Sequence, residues 1–334
     1  MKENRNITID ILKVIGILLV ILAHVEIPKV IFQLRNFEVP LLMIASGILA
    51  VHSYGKCKNS IEYFMKRIKR LILPTWIFLI LFFIIDFLCE QKYIHNKNSI
   101  IDSFLLTGGI GYVWIIRIYI LNALSIPILI KLKTVLHKKL YYCIILVLYV
   151  IYELIFLKFG NANNFLKYFI YYIVPYGFVC TSLGIELKEI KKRNIFIIGI
   201  ILMLIFVGLS VSLYIERGQF IITNEYKYPP RLYYLSYAIG VSLLIYYLID
   251  KVNILNIKER CNIEIIKFIS SHTMWIYLWH IMYIYFLGMT DNNINWIYKY
   301  IIVVAGAIIT TYIQSKVANK VFRKNSKIKL ILDC

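Results

Sequence analysis

The chain has 334 residues, 60% of them hydrophobic and only 17% charged, with a mean hydropathy of +0.72. Water-soluble domains hold roughly 45–50% apolar and about 25% charged residues, so a soluble enzyme, a secreted disulfide scaffold, a disordered tail and a nucleic-acid module are all poor fits. The formal net charge of +20 suits either a nucleic-acid partner or the inner loops of a membrane protein, and its distribution along the chain decides between them.

Lys2 and Arg5 precede an apolar run, as in a signal peptide, but Asp10, Lys13 and His24 interrupt that run and no small-residue cleavage site follows. The segment reads as a retained first span. About 20 mostly apolar residues are needed to cross a bilayer as a helix, and such runs fall near 9–26, 39–55, 71–90, 108–130, 140–157, 165–187, 194–214, 231–249, 266–289 and 297–317. These runs are too long and too uniformly apolar for barrel strands. The expected fold is all-α: a multi-pass cell-membrane protein with a bundle of about ten transmembrane helices and a single domain over 1–334. With the N-terminus inside, about two-thirds of the 38 Lys and Arg residues fall in inner segments, alternating loop by loop as the positive-inside rule requires. That predicts both termini in the cytoplasm and removes the need for a nucleic-acid partner. The longest outer connections, 91–107 and 215–230, are too short for an independent domain.

Cys57, Cys89, Cys143, Cys180, Cys261 and Cys334 form no CxxC pair and no Cys/His cluster with metal spacing. Neither a metal nor a permanently bound cofactor is expected.

Ionisable side chains inside a span are costly, and their default reading is functional. Here they are Asp10, Lys13, His24, Asp86, Arg117, Glu153, Glu186 and His280. Structural pairing is the competing reading, for example Arg117 with Asp86 or Glu153. Lys13 and His24 are eleven residues apart, three helical turns plus about 20°, and about 16 Å apart along the axis. They share a face near opposite ends of the first span. The pair either lines a polar track through the bilayer, or Lys13 snorkels to the headgroups while His24 bonds a neighbouring helix. Arg67 and Arg70 are i, i+3 neighbours leading into the third span. Side by side they suit bidentate phosphate binding, or they simply set topology. Ser46-Gly47 lacks the context of a nucleophile elbow, and Gly108-Gly109-Ile110-Gly111 reads as close helix approach rather than nucleotide binding. No His has an Asp four or five residues on, so the soluble acyl-transfer dyad is missing. The aromatic stretches from Tyr168 to Tyr176 and from Tyr233 to Tyr237 suit interfacial belts and helix packing.

Taken in order, Lys13 through Ile21-Leu22-Ala23-His24, Phe37-Glu38-Val39-Pro40, Ile44-Ala45-Ser46-Gly47, Arg67-Ile68-Lys69-Arg70 with Pro74-Thr75-Trp76, Tyr112-Val113-Trp114 to Pro127, Lys227-Tyr228-Pro229-Pro230-Arg231 and Trp275-Ile276-Tyr277-Leu278-Trp279-His280 resemble acyltransferase family 3, a group of integral-membrane O-acyltransferases. Ile48 stands where the family's usual SGF-type stretch has Phe, and the chain resembles the stand-alone members without a C-terminal esterase-like domain. The resemblance implies transfer of an acyl group, usually acetyl, from cytosolic acyl-CoA to a hydroxyl of an extracytoplasmic or membrane-linked glycan. In that scheme His24 is the general base, its ordinary pKa of about 6.5 lying near working pH, and Lys13 positions the donor or stabilises charge. Arg67 and Arg70 hold the coenzyme A phosphates, Arg117 and Trp114 line the donor path, and Tyr228 and Arg231 stand on the acceptor side. The partners are the bilayer, acyl-CoA (acetyl-CoA as the donor substrate) and a hydroxyl acceptor. The rival reading is a secondary transporter or flippase for a glycan or lipid-linked sugar, which also places ionisable residues inside a bundle.

Overall fold

The computed structural model describes residues 5–89, 96–160, 163–251, 263–289, 294–321 and 331–332. Cys261 and Cys334 lie outside the described residues, as do Lys2, Lys92, Lys258, Arg260 and the cations between 322 and 330. The described residues are helical with no strands, and the protein is an all-α polytopic membrane protein.

Asn6 caps α1 (Ile7–Leu22), its side chain accepting from Thr8 N at 2.9 Å. A short α2 (Lys29–Arg35) turns the chain into α3 (Glu38–Gly55). Helix α4 (Ser60–Leu88) opens on a reciprocal cap, in which Asn59 accepts from Glu62 N and the Glu62 carboxylate accepts from Lys58 N. Then follow α5 (Lys97–Phe104), α6 (Trp114–Val135) and α7 (Lys138–Phe159). The next span is irregular, with π-helical stretches at Leu166–Ile170 and Ile173–Cys180 leading into α8 (Thr181–Glu186). Helix α9 (Lys192–Arg217) stops at Gly218 in the left-handed conformation. A 3-10 turn (Thr223–Tyr226) precedes α10 (Leu232–Lys251), and α11 (Ile263–Ser271), α12 (Thr273–Met289) and α13 (Trp296–Val321) complete the bundle.

Among the described residues, eight helical segments are long and apolar enough to cross a membrane, and they coincide with eight of the expected spans. The expected first and ninth spans contain helices of 16 and 17 residues, α1 and α12. Two of the boundary differences bear on the polar residues and glycines singled out above. Helix α1 ends at Leu22 rather than 26, so His24 sits in the turn beyond it. The fourth span starts at Trp114 rather than 108, because Gly109 and Gly111 take positive φ (65° and 81°) in a turn, and Gly109 there lies so close to α5 that a Cβ would collide with the Ser99 carbonyl oxygen.

Burial separates centre from perimeter. The α2–α3 segment has 78% of its apolar window inside the protein, whereas α7 and α9 have 17% each and present Ile, Leu and Val outward to lipid. Helix α3 packs on α1 and, more closely, on α8. At the α8 crossing a Cβ on Gly47 would collide with the Thr181 carbonyl oxygen, and one on Gly184 with that of Ile44.

Candidate active site

Four elements from distant parts of the sequence converge on the centre of the bundle: α1, α3, α6 and α12. On α1 the residues facing inward recur at helical spacing, from Lys13 through Ile17 and Val20 to His24 just past the helix end. Helix α3 runs the other way, with Glu38 beside His24, and Ser46 and Ser53 beside Lys13 and Arg67.

Between these elements lie two adjoining cavities that share part of their lining. The larger, about 320 Å³, is lined by Lys13, Arg67 and Arg70 together with Ser46, Ser53 and Tyr119. The smaller, about 170 Å³, is lined by His24, Trp114, Tyr228, Arg35, Glu38 and Lys227. Val20, Ile115 and Tyr277 belong to both walls and form the partition. Tyr277 is held there by donating its hydroxyl hydrogen to the Tyr112 carbonyl.

The cations of the larger cavity are held in different ways. Lys13 donates to the Ser270 carbonyl. Arg67 donates to the Tyr63 hydroxyl at 3.2 Å and the Ser53 hydroxyl at 3.1 Å. Arg70 is exposed. Both arginines lie within α4, seven and ten residues after its first residue, so the helix itself fixes their spacing.

In the smaller cavity, His24 Nδ1 lies 3.1 Å from His280 Nε2, and the Tyr112 ring meets the His24 ring edge-on at 4.9 Å. Trp114 packs edge-on against Tyr228 at 5.2 Å. Behind them is a buried ionic cluster that sequence reasoning missed. Glu38 Oε1 accepts from Lys227 Nζ at 2.5 Å and from Arg35 Nη1 at 2.8 Å, and Lys227 also donates to Asn36 Oδ1 at 2.9 Å. Burial pushes the Lys227 ammonium below the ordinary lysine value, while the Glu38 carboxylate pulls it back up. Arg35 Nε and Glu38 Oε2 are buried without a partner. The signal for this cluster was present in Phe37-Glu38-Val39-Pro40 and in Lys227-Tyr228-Pro229-Pro230, but nothing local says that the two segments meet.

Three expected placements change. Trp114 lies in the His24 cavity rather than with the arginines of the larger one. Arg117 pairs with neither Asp86 nor Glu153; it donates to the Leu106 carbonyl at 2.8 Å and lies over the Tyr168 and Tyr172 rings. Arg231 pairs with Glu153 at 2.5 Å on α7 and lines neither cavity. Of the other intramembrane groups, Asp10 binds Arg5, Glu186 binds Lys133 and Lys138, and Asp86 accepts from Tyr285. Their cost is met by structural pairing.

Chemically, the arrangement offers cations at the mouth of one cavity and an imidazole in the next, with three side chains common to both linings. A family model described as an acyltransferase domain, acyltransferase family 3, matches residues 6–315. No curated protein and no solved structure matches the chain.

Proposed function

The chain belongs to that acyltransferase family, and from this premise we propose that it moves an acyl group, acetyl in the first instance, from acyl-CoA in the larger cavity to a hydroxyl of a glycan in the smaller one. The observation that carries the reading is the pair of adjoining cavities, cationic on one side and bearing His24 on the other, with Val20, Ile115 and Tyr277 as common wall.

In this reading the thioester arm extends into the larger cavity. The nucleotide stays at the mouth, where Arg67 and Arg70 neutralise its phosphates. Lys13, deeper in, stabilises charge along the arm. At the partition the acceptor oxygen attacks the thioester carbonyl carbon; the C–O bond forms, the C–S bond breaks, His24 takes the hydroxyl proton and the coenzyme A thiolate leaves. Tyr228 and Trp114 supply the aromatic wall on which a sugar face rests. The alternating loop charges put the Lys13 end at the cytoplasm and the His24 end outside.

Membrane vesicles carrying this chain and supplied with labelled acetyl-CoA on the Lys13 side should accumulate covalent label on a glycan. His24→Ala should abolish that label while coenzyme A binding persists. Appearance of an unmodified solute across the membrane, with no covalent label, would instead favour a transporter; full labelling by the Ala variant would remove the base assignment.

A further inference from the structure

His280 stands on α12, fully buried, with its Nδ1 at the Tyr277 carbonyl oxygen. A carbonyl oxygen can only accept, so Nδ1 carries the hydrogen, and the Nε2 of the neutral ring is left as a lone pair. That Nε2 is the atom facing His24 Nδ1 at 3.1 Å. His24 must then donate from Nδ1, which leaves its own Nε2 bare. The ring planes are 24° apart with centroids 5.2 Å apart, so the contact runs edge to edge and nearly in plane, as a hydrogen bond between two imidazoles requires. His24 lines the smaller cavity, and with Nδ1 engaged by His280 of α12, Nε2 is the ring nitrogen left for a ligand there.

We propose that His280 is a positioning residue: through a fixed chain from the Tyr277 carbonyl to His280 to His24, the backbone of α12 selects the tautomer in which His24 can act as a base. The inference deepens the transfer reading above and rests on it for its catalytic meaning, though the tautomer itself does not. As the acceptor O–H is deprotonated, the proton moves to His24 Nε2, the C–O bond forms and the C–S bond breaks. The imidazolium keeps its Nδ1–H bond to His280 and then returns the Nε2 proton to the departing thiolate, so the pair ends unchanged. Unlike the carboxylate of a hydrolase triad, this partner is neutral, and it orients the base without placing a negative charge beside it.

The groups that share the surroundings of His24 are Arg35 of α2, Glu38 of α3, Lys227 and Tyr228 before α10, Tyr112 before α6, and Tyr277 of α12. Glu26, two residues on, pairs with Lys299 of α13 at 2.9 Å. Among the described residues the hydrogen bond to the His24 ring comes from none of these groups but from His280.

The test uses the full chain in lipid nanodiscs with nitrogen-15 histidine, His24 and His280 being assigned by their absence in His24→Gln and His280→Gln. At neutral pH the wild type should show His24 with a protonated Nδ1 and an unprotonated Nε2. His280→Ala should turn His24 toward the tautomer protonated at Nε2. In vesicles given labelled acetyl-CoA, His280→Ala should lower kcat about a hundredfold with the donor KM unchanged. His280→Gln, whose amide oxygen can still accept from Nδ1, should recover much of that loss. A wild-type His24 protonated at Nε2 overturns the proposal without any variant having to fold. Equal losses for Ala and Gln overturn its catalytic part. If the wild type labels no acceptor while the tautomer is as stated, the transfer reading has failed and the positioning has not.

Discussion

Arg67 is held at two points, by Tyr63 and Ser53, while Arg70 stands exposed at the mouth of the same cavity. Hydrogen bonds to charged groups are worth about 1.5–3 kcal/mol each, which converts to roughly 10–100-fold in binding. Replacing both arginines with Ala should therefore raise the donor KM by at least about tenfold, with kcat changed much less; titration of acetyl-CoA in the labelling assay reads this directly. An unchanged KM would return the two residues to a topological role. The spacing of this pair is readable from sequence because both residues sit on one helix. The fate of Arg117 and Arg231 is not. Each lies in or beside a span, as Lys13 does, yet one is consumed by a carbonyl and two aromatic rings and the other by Glu153. An intramembrane charge announces its cost, but its partner is a matter of which helix comes alongside.

Helices α3 and α8 approach so closely at Gly47 and Gly184 that neither position has room for a Cβ. The colliding atoms are backbone carbonyls, which cannot swing aside as a side-chain end would. Gly184→Ala should destabilise the bundle by about 1–3 kcal/mol, the usual cost of overpacking, seen as a lowered Tm in detergent. Gly208→Ala on α9, where a Cβ meets nothing within 4 Å, is the matched control and should not lower Tm, since Ala suits a helix interior better than Gly. Helix identity followed from apolar run length alone, and eight of the expected spans have counterparts of membrane-crossing length. The ends did not follow, because they depend on local geometry that run length ignores. Positive φ at Gly109 and Gly111 delays α6 to Trp114, and α1 finishes at Leu22. The eleven-residue spacing of Lys13 and His24 still brings both to the interior, since the turn after Leu22 continues the inward face.

Across the whole molecule, the division of the interior into two cavities has a consequence for side reactions. A thioester reached by water is lost to hydrolysis, and the side chains shared by the two cavities stand where water from the acceptor side would reach it. Val20 is one of them and, unlike Tyr277, makes no hydrogen bond through its side chain. Val20→Ala should open the partition and raise acceptor-independent hydrolysis of acetyl-CoA several-fold, measured as free coenzyme A released by protein without a glycan acceptor. A rate equal to wild type would mean that the wall does not control access.

The amino-acid order by itself determined that this chain lives in a bilayer, that it is all helical, and that Lys13 and His24, like Arg67 and Arg70, lie close to one helix face. Those conclusions rest on run length, charge alternation and spacing within one helix, all of which are local properties of the chain. The partition at Val20, Ile115 and Tyr277, the Glu38–Lys227 cluster and the His24–His280 pair were decided only by tertiary structure. Each joins residues from separate segments of the chain, as far as 256 positions apart for the two histidines, and the choice of neighbours in a bundle is made by side-chain packing that no single segment encodes.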